Sequence, residues 1–187
     1  MKILVTGGTG LVGSALKEIY KENCEIIYLS SRDVNLIDYS KTLECFLEIN
    51  PDKIIHLAAN VGGLYKNINS NVEMFENNIY INTNVIKCAH QAGVTKLVAC
   101  LSTCVYPDIV TYPISETQFH TGEPNQSNFG YAYSKRMLEV HCRAYNEQYG
   151  TQYTCIIPTN IFGPHDNFSL TDSHVLPGLI NKFYLSK

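Results

Sequence analysis

Two periodicities alternate along this chain almost from end to end. Apolar-rich runs of strand length, KILVT, EIIYLS, KIIHLAA, KLVACLS and QYTCIIP, are interleaved with stretches whose apolar positions recur every third or fourth residue. The helical stretches are LVGSALKEIYKE, YSKTLECFLEI, a long one over about residues 72–92, another over about 131–149, and a last amphipathic run, HVLPGLINKFYL. Strands apolar on both faces and separated by helices predict a parallel sheet covered by helices. Right-handed crossovers then make it a doubly wound α/β fold. No linker, internal repeat or low-complexity tract interrupts the order, so residues 1–187 read as one domain. The one long irregular connection, residues 103–128 with Pro107, Pro113 and Pro124, has the length typical of a functional loop.

Composition narrows the classes. At 187 residues, 45% hydrophobic and 17% charged, the chain can bury a sizeable core and is ordinary for a globular protein. A formal charge of -3 offers no basic field for nucleic acid or an anionic membrane. No apolar run reaches spanning length, and MKILVTGGTG breaks into glycines too early for a signal peptide, so a cytoplasmic protein is expected. The seven cysteines, Cys24, Cys45, Cys88, Cys100, Cys104, Cys142 and Cys155, are odd in number and form no CxxC pair. Reduced thiols serving as small core residues are predicted, and no metal site.

Candidate chemistry begins at the first strand-to-helix turn. In VTGGTGLVG, Gly7, Gly10 and Gly13 stand three apart, where glycine lets backbone N–H groups and a helix N-terminus approach a pyrophosphate. After the second strand, SSRD offers two ribose readers. Arg32 can fork around a 2′-phosphate, whereas Asp33 fits an NAD reader by spacing but serves equally well to open a turn. NADP is the expected cofactor. At the end of the fourth strand, alternation points Ser102 and Cys104 to one side, above the carboxyl edge where open α/β sheets bind ligands. Further on, SNFGYAYSKRML places Tyr131 and Lys135 one helical turn apart on one face, with Tyr133 pointing elsewhere. An ammonium there is expected to lower the phenol's pKa and make Tyr131 a proton donor and acceptor. His56, His90, His120 and His141 are read as structural or solvated.

The glycine turn, Ser102 and Tyr131-x-x-x-Lys135 together resemble the extended short-chain dehydrogenases/reductases. HLAANVGG, LSTCVYP, SNFGYAYSKRM and IPTNIFGPHDNF with SHVLPGLI resemble, within them, the GDP-L-fucose synthase family of GDP-4-keto-6-deoxymannose 3,5-epimerase/4-reductases, over all 187 residues. The resemblance implies an NADP-binding Rossmann domain and a GDP-sugar substrate. It implies that Ser102, Tyr131 and Lys135 serve C4 reduction, while Cys104 and His174 act as base and acid in epimerisation. Thr9, Leu11, Val12, Leu36, Ala58 and Ala59 are expected to join the glycines and Arg32 at the cofactor, with Tyr131, Lys135, Asn160 and Gly163 at its far edge. Asn160 and Lys182 are expected at the substrate. A titratable Cys104 thiol near neutrality is expected as well. Family members continue past NKFYLSK, so the resemblance also implies that a C-terminal substrate region is missing from these residues. A homodimer is expected, or a partner that supplies that region. Its helix packing would use Val85, Cys88 and Ala89 on the long helix with Leu138 and Cys142 on the Tyr131 helix. Another nucleotide-sugar epimerase or dehydratase, or a non-catalytic NADP-binding interaction module, are the alternatives.

Overall fold

The computed structural model describes residues 1–20 and 24–187; Lys21 and Glu22, the end of the first predicted helix, lie outside the described residues. Five parallel strands, β1 (Lys2–Thr6), β2 (Glu25–Leu29), β3 (Lys53–His56), β4 (Lys96–Cys100) and β5 (Gln152–Ile156), form one sheet in the order β2-β1-β3-β4-β5. The chain leaves β1 in one direction through α1 (Leu11–Ile19) and leaves β2 in the other through α2 (Tyr39–Ile49). That reversal opens a crevice beyond the carboxyl ends of β1 and β3, the ligand position of doubly wound sheets. The register brings Thr6, Leu29, His56 and Ala99 to this edge.

Local chemistry sets the element ends. Asp38 caps α2 by accepting from the Lys41 N–H at 3.1 Å, and Asn50 ends it in the left-handed region. Between β3 and β4 lie α3 (Leu64–Asn69), which the sequence pattern does not predict, and α4 (Asn71–Gln91). Between β4 and β5, α5 (Phe129–Tyr149) stops at Gly150, whose φ of +68° favours glycine. Then α6 (Val175–Leu185) follows β5. Both α2 and α5 pack beside α4, and right-handed crossovers place α1 on the opposite face of the sheet.

The main core lies between the sheet and the α2, α4 and α5 layer, around Leu4, Ile54, Leu97, Phe46, Ile86 and Leu138. Val85, Cys88, Ala89, Leu138 and Cys142 all belong to it and are at most 2% exposed. They face the chain's own sheet and cannot form a dimer seam, which corrects the expected face. The stripe that meets the sheet also fixes what points outward, and Phe75, Phe129, Tyr133 and Met137 line an apolar groove between α4 and α5. All seven cysteines are free thiols, with Cys88 and Cys142 fully buried.

One polar chain crosses this core. The Asn82 amide donates to the Ser134 carbonyl at 3.4 Å, so its Oδ1 faces His56 Nε2 at 3.1 Å. His56 must donate there, leaving Nδ1 to accept from the Thr6 hydroxyl at 2.8 Å, while Thr6 Oγ1 accepts from the Ala58 N–H. Only a neutral ring satisfies this arrangement. Burial, followed by the nearby Lys135 cation, pushes the His56 pKa down to about 3.

A folded-state pKa below the unfolded value means that stability present above about pH 6.5 is lost as the unfolded chain takes up a proton that the folded ring refuses. The expected loss is about 2 kcal/mol between pH 6.5 and 5. Urea midpoints measured across that window should show it, and the same series on His56→Gln should lose that part of the slope.

Candidate active site

The cofactor side is built from the first turn. Gly7 adopts φ +72°, and a Cβ on it would lie 2.7 Å from the Ala58 nitrogen; a Cβ on Gly13 would lie 2.6 Å from the Gly7 carbonyl. Only glycine lets β3, the turn and α1 come this close. Gly10 occupies the N-cap of α1 without a side-chain cap, leaving the helix's first N–H groups open to an anion. Above the turn is a cleft of about 490 Å³ lined by Gly7, Thr9, Gly10, Leu11, Val12 and Gly13, by Leu36 after β2, and by Ala58 and Ala59 after β3. These predicted residues come together in one place, and the cradle fits a dinucleotide.

Arg32, Asn160 and Gly163 lie outside the cleft's lining. Ser30 and Ser31, next to Arg32, do line it, and a Cβ on Gly163 would meet Leu11 at 3.4 Å. Asp33 is committed elsewhere, since its carboxylate accepts from both the Ser30 N–H and hydroxyl at 2.7 Å. Those Ser30 bonds hold the carboxyl below the usual carboxylate range. This is a turn-closing aspartate.

The far wall of the cleft leads to the second group of residues. Cys100 lines the cleft, and its carbonyl accepts from Lys135 Nζ at 2.8 Å. Lys135 is buried, and its Nζ stands 5.8 Å from the centre of the Tyr131 ring. β4 ends at Cys100, so strand alternation does not carry on to Ser102 and Cys104. Instead Ser102 starts a 3-10 turn over Thr103–Val105, and its hydroxyl accepts from the Cys104 N–H at 3.5 Å. The turn, and not the pleat, brings the two side chains together. Cys104 also borders a second hollow of about 410 Å³, shared with Thr103, Tyr106, Asp108, Asn128 and Thr159.

Two expected pKa directions are reversed. Burial, then the Cys104 and Cys100 thiols, pushes the Tyr131 phenol up, and Lys135 Nζ bonds the Cys100 carbonyl. Tyr131 therefore keeps its proton. Burial also raises the Cys104 thiol, against the Ser102 hydrogen bond and the cations of Lys135 and Arg136, which pull it down. For Lys135 itself burial lowers the pKa, opposed by Cys100, Cys104 and Cys155.

His174 and Lys182 are placed apart from this group. His174 is exposed at the N-cap of α6, which its side chain does not cap, and Lys182 is exposed in the last turn. Neither lines either hollow. The start of α6 is tied to the start of α3 by the Gly63 N–H donating to the Asp172 carbonyl at 3.1 Å. Asn160 is exposed beside Thr159, which borders the second hollow.

Several residues that shape the site carry no motif. Asn78 brackets the loop after β3, accepting from the Asn60 N–H and donating to the Asn60 carbonyl, both at 2.9 Å. Asn82 anchors α5 as described. Their signal is present in the sequence: asparagines four apart on the face of α4 that also carries Met74, Val85 and Ala89 are polar residues on a core stripe.

This geometry has counterparts. The NAD dependent epimerase/dehydratase family matches residues 3–187. The chain is 53% identical over 188 residues to the GDP-L-fucose synthase of Dictyostelium discoideum, covering 98% of this chain and 59% of that protein. It is 48% identical to a probable GDP-L-fucose synthase of Drosophila melanogaster, covering 98% of this chain and 58% of that one. A crystal structure of a GDP-L-fucose synthetase from Naegleria fowleri bound to NADP superposes with a TM-score of 0.93 at 46% identity, over 99% of this chain and 58% of that chain. The chain thus spans less than two thirds of the length of the relatives it matches. Matched from residue 3 to residue 187, it belongs to the NAD dependent epimerase/dehydratase family.

Proposed function

We propose that residues 1–187 form the NADP-binding domain of a cytoplasmic GDP-L-fucose synthase, which epimerises C3 and C5 of GDP-4-keto-6-deoxymannose and reduces C4. The observation that carries this reading is the grouping of Ser102, Cys104, Tyr131 and Lys135 next to Cys100, which lines the glycine-built cleft and accepts from Lys135. Relatives and a solved neighbour of the same name support the substrate and cofactor. In this reading Gly7, Thr9, Gly10, Leu11, Val12 and Gly13 hold the pyrophosphate, and Leu36, Ala58 and Ala59 pack against the adenosine half. Arg32 reads the 2′-phosphate, while Asn160 and Gly163 border the far edge. Asn160 and Lys182 face the GDP-sugar.

The chemistry follows from where protons sit. The C4 ketone acidifies the C–H bonds at C3 and C5, so Cys104 as thiolate removes a proton and His174 returns one to the opposite face. Ser102 and the protonated Tyr131 donate hydrogen bonds to the oxygen on which charge develops. NADPH, when bound, supplies the hydride for C4. Tyr131 then gives its proton to the C4 oxygen, and Lys135 stabilises the phenolate left behind. Burial that keeps Tyr131 protonated is thus useful, whereas the same burial makes Cys104 a base whose active fraction grows as pH rises. Apolar side chains are exposed on α3 and α6, among them Leu64, Ile68, Leu176, Ile180 and Phe183. A substrate-side wall is proposed to pack there.

Incubation of a chain that includes the substrate-side region with NADPH and GDP-4-keto-6-deoxymannose in D2O tests the reading, and residues 1–187 alone should bind NADPH without turnover. For the longer chain the expected result is deuterium at C3 and C5 together with NADPH consumption; NADPH binding with neither would instead favour a non-catalytic module. Cys104→Ser should slow isotope exchange by about 100-fold or more, because a hydroxyl is too weak an acid to replace the thiol, and Tyr131→Phe should slow chiefly reduction, by a similar factor, with a smaller loss of exchange because Ser102 still donates to the enolate oxygen. For cofactor choice, Arg32→Ala should lower the NADPH over NADH preference about ten- to hundredfold, the worth of a charge-assisted phosphate contact. An unchanged ratio in a fluorescence titration would remove Arg32 from that role. We also propose a homodimer that covers the groove of Phe75, Phe129, Tyr133 and Met137. Sedimentation should then show a dimer that Met137→Glu converts to monomer, and a native monomer at all concentrations would refute it.

A further inference from the structure

Arg136, the residue after Lys135, is 4% exposed. Its Nε donates to the Val105 carbonyl at 2.7 Å and its Nη1 to the Gly122 carbonyl at 2.8 Å. Val105 directly follows Cys104, and Gly122 belongs to the far part of the long loop, where a Cβ would meet Pro107 at 3.3 Å. One side chain therefore ties both ends of the segment 105–122 to α5. Among the described residues no carboxylate pairs with this guanidinium, and its Nη2 is buried without a hydrogen-bond partner. Its guanidinium lies 5.4 Å from the centroid of the Tyr133 ring, and its charge acts on the Cys104 thiol, one residue before the Val105 carbonyl that it holds.

Taking a guanidinium out of water without a counter-ion costs several kcal/mol, far more than a loop tie requires, since a neutral amide can donate to carbonyls. The arrangement makes sense if the charge itself is used. We propose that Arg136 is the positioning residue for Cys104: its two-carbonyl fork fixes the 3-10 turn that carries the thiol and sets an uncompensated cation beside it. The proposal rests on the reading of Cys104 as the proton-removing group. The other groups facing that thiol are Tyr131 and Lys135 on α5 and the Ser102 hydroxyl on its own turn, with Asp108 and Tyr106 on the same hollow. Tyr131 holds its proton and contributes no charge, and Asp108 is exposed and bonded to Asn125. Lys135 and Arg136 are the cations opposing burial at Cys104. Lys135 is already engaged with the Cys100 carbonyl. A lysine at position 136 would keep the charge but lack the planar fork that spans two carbonyls.

The test is the pH dependence of Cys104 alkylation by iodoacetamide, followed by peptide mass on the folded chain, with the buried Cys88 left unmodified as the sign that the chain stays folded. In Arg136→Met the midpoint should rise by about one pH unit and the rate at pH 7 should fall about tenfold, whereas Arg136→Lys should keep a midpoint near the native one. Should Arg136→Met not fold, Arg136→Gln takes its place, keeping a donor without the charge, with the same expectation. An unchanged midpoint overturns the proposal. So does faster alkylation at an unchanged midpoint, since that is what a purely structural plug would produce when removed. Because the readout is the thiol and not turnover, an unchanged midpoint is separable from failure of the proposed reaction, which Cys104→Ser addresses.

Discussion

The bond from the buried Lys135 ammonium to the Cys100 carbonyl joins the two halves of this molecule's chemistry. It ties the helix carrying Tyr131 to the strand whose end borders the cofactor cleft. A buried cation is tolerated only where oxygen ligands replace water, so the height of α5 against the sheet is not free to drift. Tyr131, one turn earlier, inherits that fixed height, and so does Arg136, one residue later. The turn bearing Cys104 is then hung from Arg136. Three side chains of proposed function thus take their positions from one desolvated charge.

The cofactor side depends on a different constraint, closeness of backbone. Gly7 against Ala58 and Gly13 against Gly7 remove the space in which any side chain could stand. The void above them belongs to a ligand for that reason, and the uncapped start of α1 faces it. The steric and electrostatic features are made by separate residues, so each can be altered alone.

Much of this was legible in the sequence because it was periodic. The strand and helix alternation, the glycine spacing and the Tyr131–Lys135 face all follow from repeats of two, three and four residues. Where expectation and structure part, a local or three-dimensional effect intervenes. Strand alternation predicts the pairing of Ser102 with Cys104, but the strand ends at Cys100 and the pairing is made by a 3-10 turn that starts at Ser102. Val85 and Leu138 are apolar on helices, which does not say whether an apolar face meets the chain's own sheet or another copy. The pKa direction of Tyr131 is read from the nearby lysine and that of Cys104 follows from the resemblance, while burial, which no spacing reveals, dominates both. Arg136 carries no motif, and its burial comes from the loop that folds back over it.

The hydrogen-bond chain from Ala58 through Thr6, His56 and Asn82 to Ser134 has a fixed polarity, because it begins at an amide N–H and ends at a carbonyl oxygen. Neither end can surrender or receive a proton at neutral pH, and reversing the middle would set the Asn82 amide oxygen against the Ser134 carbonyl. The chain is therefore a blocked wire. It holds α5 to the sheet without opening a proton leak from the interior toward Tyr131. In the proposed reaction, a proton given up by Tyr131 is therefore not replaced along this chain.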